Sequence, residues 1–154
     1  MKRVLGLDFG SKTVGVAVSD PLLITAQAVE TIRRKSENKL RKTYARITAL
    51  IEELDIGTIV VGLPKYLNGD EGERVGKTLE FKETLERYTK LDVVTWDERL
   101  STVEALRTLD ATGASLEKKK EVVDMVAAQI ILQGYLDSIK MSDKGDANES
   151  KDNA

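Results

Sequence analysis

The chain has 154 residues, 41% of them apolar, and a net charge of −2. That is the length of one domain, with enough apolar material for one core. It contains neither cysteine nor histidine, which excludes disulfides, a Ser-His-Asp triad, a cysteine nucleophile and an ordinary zinc site.

The opening stretch, VLGLDFGSKTVGVAVSD, reads as a hairpin. Arg3 to Asp8 is an apolar strand, Gly10-Ser11-Lys12-Thr13 a turn, and Val14 to Val18 a second strand alternating bulky and small residues. Ser19-Asp20-Pro21 is a further turn signal, and Leu22 to Ile32 is expected to form a third strand. From about Glu37 to Leu54 the period changes: Leu40, Tyr44, Ile47, Leu50, Ile51 and Leu54 recur at helical spacing. TIVVGLP is a short strand, KYLNGDEGE a polar loop, Arg74 to Tyr88 a helix, and LDVVTW a fifth strand ending at Asp97-Glu98. A helix is expected from about Ser101 to Leu109, with Ser101 and Glu104 at capping-box spacing. The last helix starts between Leu116 and Val123 and runs to about Ile139. A meander followed by βα units implies an α/β fold: a five-stranded mixed sheet, antiparallel then parallel, flanked by helices.

Residues 1–140 are thus expected to be one domain, and 141–154 a disordered acidic and polar tail. The last fourteen residues hold two lysines, three aspartates and one glutamate, so the preceding 140 are neutral overall. That argues against a nonspecific basic coat for nucleic acid. No apolar run approaches the ~20 residues of a membrane span, and MKRVLGLDFG does not read as a signal peptide. A cysteine-free chain fits a reducing cytoplasm.

Three acids stand apart. Asp8 ends the first strand, Glu98 follows the fifth, and ligands in mixed α/β sheets gather at strand ends. Neighbouring strands of the same direction would bring these two carboxylates together. Asp124 is the only charged residue in VVDMVAAQIILQGYL, an almost wholly apolar stretch that should be a buried helix. At helical spacing it shares a face with Ala128, Ile131 and Tyr135. Each acid also has an ordinary reading. Asp8 could form a turn before Gly10, Glu98 could be solvated beside Arg99, and Asp124 could complement a helix dipole. Burying an unpaired carboxylate costs several kcal/mol, and a metal would remove that cost. Three carboxylates suit a pair of Mg²⁺ or Mn²⁺ ions ~4 Å apart that activate a water, chemistry that needs no histidine.

Four blocks, LGLDFGSKTVGVAVSD, IVVGLPKYLNGDEG, DERLSTVEA and VVDMVAAQIILQGYLD, then carry a resemblance from Arg3 to about Asp137. In order and spacing the chain resembles the YqgF/RuvX family, an RNase H-like group related to Holliday-junction resolvases and described as nucleases of the 16S rRNA precursor. The resemblance implies an RNase H-like fold, a divalent metal held by Asp8, Glu98 and Asp124, and phosphodiester hydrolysis. It also implies a cytoplasmic part in maturing the 5′ end of 16S rRNA. Family members often carry arginine in the first turn where this chain has Thr13, and Lys12 is the candidate for the positive charge there.

Further nucleic-acid contacts could come from Lys65 on phosphate, Tyr66 stacking on a base, and Asn68 in the same loop, although each equally suits a flexible polar loop. Arg99, Ser101 and Thr102 could hold phosphate at a helix N-terminus, although Ser101 equally suits an N-cap. Arg33 to Arg46 holds seven basic residues and one glutamate. It is either an RNA-binding ridge or a solvated helix face. The lysines of the EKKKE run, Glu117 to Glu121, close to Asp124, could hold a strand over the metals or belong to a charged surface loop.

Four functions compete. A metal-dependent nuclease on structured RNA leads, with pre-16S rRNA and ribosomal particles as partners and a monomer or homodimer as the working form. A Holliday-junction resolvase would share the metal site, act on branched DNA and work as a symmetric dimer. A noncatalytic ribosome-assembly or nucleic-acid-binding module would be indifferent to Asp124→Asn. A nucleotide-binding protein of the sugar-kinase and actin type needs two such domains, and the chain has room for one. The protein-kinase reading of Asp8-Phe9-Gly10 lacks the Gly-rich loop and strand lysine that precede that motif.

Overall fold

The computed structural model describes residues 2–64, 69–98 and 116–152. β1 (Arg3–Phe9), β2 (Thr13–Ser19) and β3 (Ala26–Arg33) form a meander, followed by α1 (Arg41–Leu54), β4 (Ile56–Leu63), α2 (Gly69–Thr89), β5 (Asp92–Asp97) and α3 (Leu116–Asp152). The five strands lie in the order β3-β2-β1-β4-β5. β1 pairs antiparallel with β2 and parallel with β4, β2 pairs antiparallel with β3, and β4 pairs parallel with β5. The expected mixed sheet is present. The helix expected near 101–109 lies outside the described residues.

Alternation along the strands divides the core. Leu5, Leu7 and Phe9 of β1, Val14 and Val16 of β2, and Ile59 and Val61 of β4 face one way. They pack with Tyr44, Ile47 and Leu50 of α1 and Phe81 and Leu85 of α2. Val4, Ala17 and Val60 face the other way, against Ala127, Ala128, Ile131, Leu132 and Leu136 of α3. Each fully buried Leu or Ile contributes about 1.5–3 kcal/mol of transfer free energy, so both faces are firmly seated.

The α3 face is unusually close-set. A Cβ on Gly6 would lie 2.7 Å from Leu132 Cβ, and one on Gly15 only 1.9 Å from the Asp124 carbonyl oxygen. On the helix side, a Cβ on Gly134 would meet the Trp96 ring at 3.1 Å. Glycine here removes the side-chain layer between helix and sheet. By length and composition, Val122–Lys140 is a helix long and apolar enough to cross a membrane, although Asp124, Asp137 and Lys140 interrupt its apolar run. Its apolar residues are instead the half of the core that covers β1, β2 and β4.

Several boundaries differ from the sequence reading. β3 starts at Ala26, because Asp20 closes a turn in which its Oδ1 accepts the Ile24 and Thr25 N–H groups at 2.7 and 2.8 Å. Leu23 there adopts a left-handed φ of 58°. α1 starts at Arg41, because 34–39 are taken up by a connection that bonds to the β1–β2 turn. α2 starts at Gly69, inside the stretch read as loop. α3 is helical through Asp152, past the Ile139 expected from the apolar pattern. That pattern reports burial, and Leu136 is the last buried residue among those described.

Candidate active site

β1, β3, β4 and β5 all end at the same edge of the sheet, since β2 alone runs the other way. Asp8 sits at this edge, one residue before the end of β1, and is only 3% exposed. It alternates with Val4 and Gly6 and so faces α3. Glu98 directly follows β5 and has the same parity as Val94 and Trp96, which also pack against α3. Asp124 reaches the edge from α3 itself, and both it and Glu98 are 7% exposed. The helix face predicted for Asp124 is the observed one, as Ala128 and Ile131 below it are fully buried.

β1 and β5, whose adjacency would bring Asp8 and Glu98 directly together, are not neighbours. β4 lies between them, because successive parallel βα units add outward from β1. Asp8 and Glu98 are therefore two strands apart, roughly 10 Å at ~4.8 Å per strand. Gly62 bridges that distance. It follows Val61, the partner of Leu7, and so stands beside Asp8 on β4. A Cβ there would lie 2.9 Å from Glu98 Oε1 and 2.4 Å from Ile131 Cδ1. With no side chain on β4, the longer glutamate lies across that strand toward Asp8. On the other side Asp8 is paired with Gly15, the residue under the Asp124 main chain. Gly15, Asp8 and Gly62 thus form one row, with Asp124 above its β2 end and Glu98 above its β4 end.

Thr13 completes the arrangement. Its hydroxyl donates to Asp124 Oδ2 at 2.7 Å, with both groups buried. The sequence marked Thr13 only as a departure from the family, and this bond between residues 111 apart had no local signal. Gly15 and Gly62 did carry one, since glycine within a strand marks a close approach.

The turn after Asp8 is held by two arginines. Arg34 donates to the Gly10 and Ser11 carbonyls, and Arg74 to that of Phe9. Their guanidinium carbons lie 5.0 and 5.3 Å from the Phe9 ring centroid. Phe9 in turn stacks on Phe81 at 4.2 Å. Burial, and then the positive Arg74 nearby, hold Arg34 below the usual arginine value. A hydrogen bond from Lys77 is the main reason the Glu37 carboxyl sits below its usual range. Lys12 is exposed at the tip of the turn. Lys65, Tyr66, Asn68, Arg99, Ser101 and Thr102 lie outside the described residues.

The donor set at this edge is carboxylate, with no imidazole or thiol in the chain to compete, and fits a hard divalent cation. Among the described residues no three acids form a ready-made ion cluster. The row brings three carboxylates to one rim without closing them on one point.

A family model named RuvX, described as Holliday junction resolvase, matches residues 2–138. The chain is 59% identical over 140 residues to a protein of Agathobacter rectalis named "Putative pre-16S rRNA nuclease", covering 91% of this chain and 98% of that one. A protein of the same name from Acetivibrio thermocellus is 49% identical, covering 88% and 96%. Among solved structures the chain is similar to Thermus thermophilus RuvC in complex with a Holliday junction substrate, with TM-score 0.60, 13% identity, and 92% and 97% of the two chains covered. It is also similar to a second structure of that RuvC, with TM-score 0.55 and 14% identity, covering 90% and 96%. These likenesses show the fold as RNase H-like. With the match spanning both core faces and all three acids, the chain belongs to the RuvX family.

Proposed function

We propose that this protein is a metal-dependent nuclease that hydrolyses phosphodiester bonds in structured RNA, acting in 5′-end processing of pre-16S rRNA in the cytoplasm. The observation that carries the reading is the row at the sheet edge. Three acids from β1, the end of β5 and α3 are buried on one face, with glycines on both strands beside the central one. The name borne by relatives at 59% and 49% identity supports the RNA substrate.

Asp8, Glu98 and Asp124 would hold Mg²⁺ or Mn²⁺. Bound there, the ion supplies Lewis-acid stabilisation of phosphate charge and a water of lowered pKa. The protein's own contribution is placement. Thr13 fixes one oxygen of Asp124, Gly62 keeps the path of Glu98 clear, and the paired β1–β2 hairpin holds Asp8 between them. Burial of all three acids lowers the local dielectric and strengthens their hold on a cation. Lys12, Lys65, Tyr66, Asn68, Arg99, Ser101 and Thr102 are the candidates for holding the nucleic acid across this edge.

A second reading, cleavage of four-way DNA junctions, is favoured by the description of the matching family. One assay tests both: wild type and Asp8→Asn on precursor RNA, a four-way junction and single strands, with Mg²⁺ or Mn²⁺. Wild type should cleave precursor RNA fastest, and Asp8→Asn should be inactive. Equal rates for the two proteins would sink the mechanism, and cleavage of the junction alone would replace the substrate.

A further inference from the structure

We infer that the connection between β3 and α1, together with the tip of the β1–β2 turn, is a docking rim for the phosphodiester backbone of a nucleic acid. The inference deepens the nuclease reading and rests on it for its substrate class. The basic window from Arg33 to Arg46 is ambiguous in the sequence, and the fold gives it a location. β3 ends at the same edge as β1, with Arg33 paired to Thr13. The Arg34 N–H donates to the Lys12 carbonyl at 2.9 Å. The basic segment therefore begins two strands from Asp8, roughly 10 Å away at ~4.8 Å per strand. That is about one Debye length at 0.1 M salt, so the near end of the segment acts, partly screened, on a phosphate at the acids, and the rest on the strand that leads to it.

The segment is also held in shape. Arg34 turns inward, and its guanidinium donates to Gly10, Ser11 and Glu37 carbonyls, strapping residues 34–37 to the turn. With Arg34 spent as the strap, Lys35, Lys39 and Arg41 are left exposed, beside exposed Lys12. The two acids nearest the segment in sequence are engaged elsewhere. Glu37 accepts from Lys77 at 2.7 Å, and Glu30 is bonded to Arg46 at 2.6 Å. Among the described residues, none of these four side chains has a carboxylate within ion-pair reach. A chain with a net charge of −2 thus carries unpaired positive charge along the edge that holds its buried acids. A polyanion drawn along that rim is led to the edge that holds the acids.

The test is binding without cleavage, in an Asp8→Asn background. A fluorescein-labelled single-stranded RNA of about twenty nucleotides, longer than the ~4–16 that small domains span, is titrated by anisotropy at several salt concentrations. A DNA strand of the same sequence is run in parallel. The rim triple variant Lys12→Gln, Lys35→Gln, Lys39→Gln is compared with a remote triple, Lys2→Gln, Arg87→Gln, Lys90→Gln, at the opposite edge. The rim triple should bind on the order of tenfold more weakly and lose about 2 units of the log K against log salt slope, at ~0.7 per phosphate contact. The remote triple should match the parent, and a Lys→Arg version of the rim triple should keep the slope. Equal loss in both triples, or no loss in the rim triple, overturns the inference. Cleavage by wild type is scored separately. Rim-dependent binding without cleavage of any substrate would sink the nuclease reading alone, and cleavage with an unchanged slope would sink the rim alone.

Discussion

Replacing Gly15 with alanine adds one methyl group at the tightest contact between helix and sheet. The new Cβ would sit 1.9 Å from the Asp124 carbonyl oxygen and 3.1 Å from the Met125 nitrogen, where ordinary contact begins at 3.4 Å. Both are main-chain atoms of α3, so no rotamer change relieves the clash. The helix must move by about 1.5 Å, or β2 must buckle. Overpacking of this kind costs ~1–3 kcal/mol. We take the upper part of that range, about 2–3 kcal/mol, because both partners are backbone. At roughly 2–4 °C per kcal/mol for a chain of this size, Tm should fall by about 4–12 °C in differential scanning calorimetry. The same displacement carries Asp124 away from Thr13 and Asp8, and misplacement by ~1 Å costs about 100-fold in rate. Mn²⁺ binding by calorimetry should weaken in parallel. An alanine variant with wild-type Tm and wild-type Mn²⁺ affinity would refute the claim that this glycine seats the helix.

Gly62→Ala should spare more of the fold, because the Ile131 methyl can give way, yet weaken Mn²⁺ binding and cleavage by about tenfold or more as Glu98 is pushed off β4. Comparing its Tm with its Mn²⁺ affinity separates the two effects. Thr13→Val keeps the shape and removes the donor to Asp124 Oδ2, so urea unfolding should show a loss of ~1–3 kcal/mol, restored by Thr13→Ser. The Asp20 carboxyl is held below its ordinary value of 3.8, first by the Thr25 N–H and also by the Ile24 N–H. Because its folded value is the depressed one, its stabilising part is present above the unfolded carboxylate range and is lost as pH falls through the folded value. Carboxyl-detected NMR should give Asp20 a midpoint below 3.8, and Asp20→Asn should remove that pH dependence.

The sequence showed the hairpin, the βα order and the three acids, because each rests on local pattern: an alternating strand, a turn, a lone charge on an apolar helix. The relation between the acids was only partly legible. Strand ends placed Asp8 and Glu98 at one edge, but strand order is a long-range property, and nothing near either residue shows β4 between them. Gly62 records that arrangement, yet it reads locally as the end of a strand before Pro64. Thr13 and Arg34 were obscured for a similar reason. Their partners, Asp124 and the turn carbonyls, are defined by the packing of α3 on β2 and of the 34–39 connection on the hairpin. The start of β3 at Ala26 was missed because Asp20 captures two N–H groups that a strand beginning at Leu22 would have left for pairing.

The seating of Trp96 has a practical consequence. It is the single tryptophan of the chain, it lies two residues before Glu98, and its indole rests where a Gly134 side chain would be. The molecule therefore carries its own optical gauge of the gap between β5 and α3. Excitation at the tryptophan band reads that gap with no label attached, and a titrated ion or strand that shifts either acid-bearing element should register as a change in emission before any bond is cut.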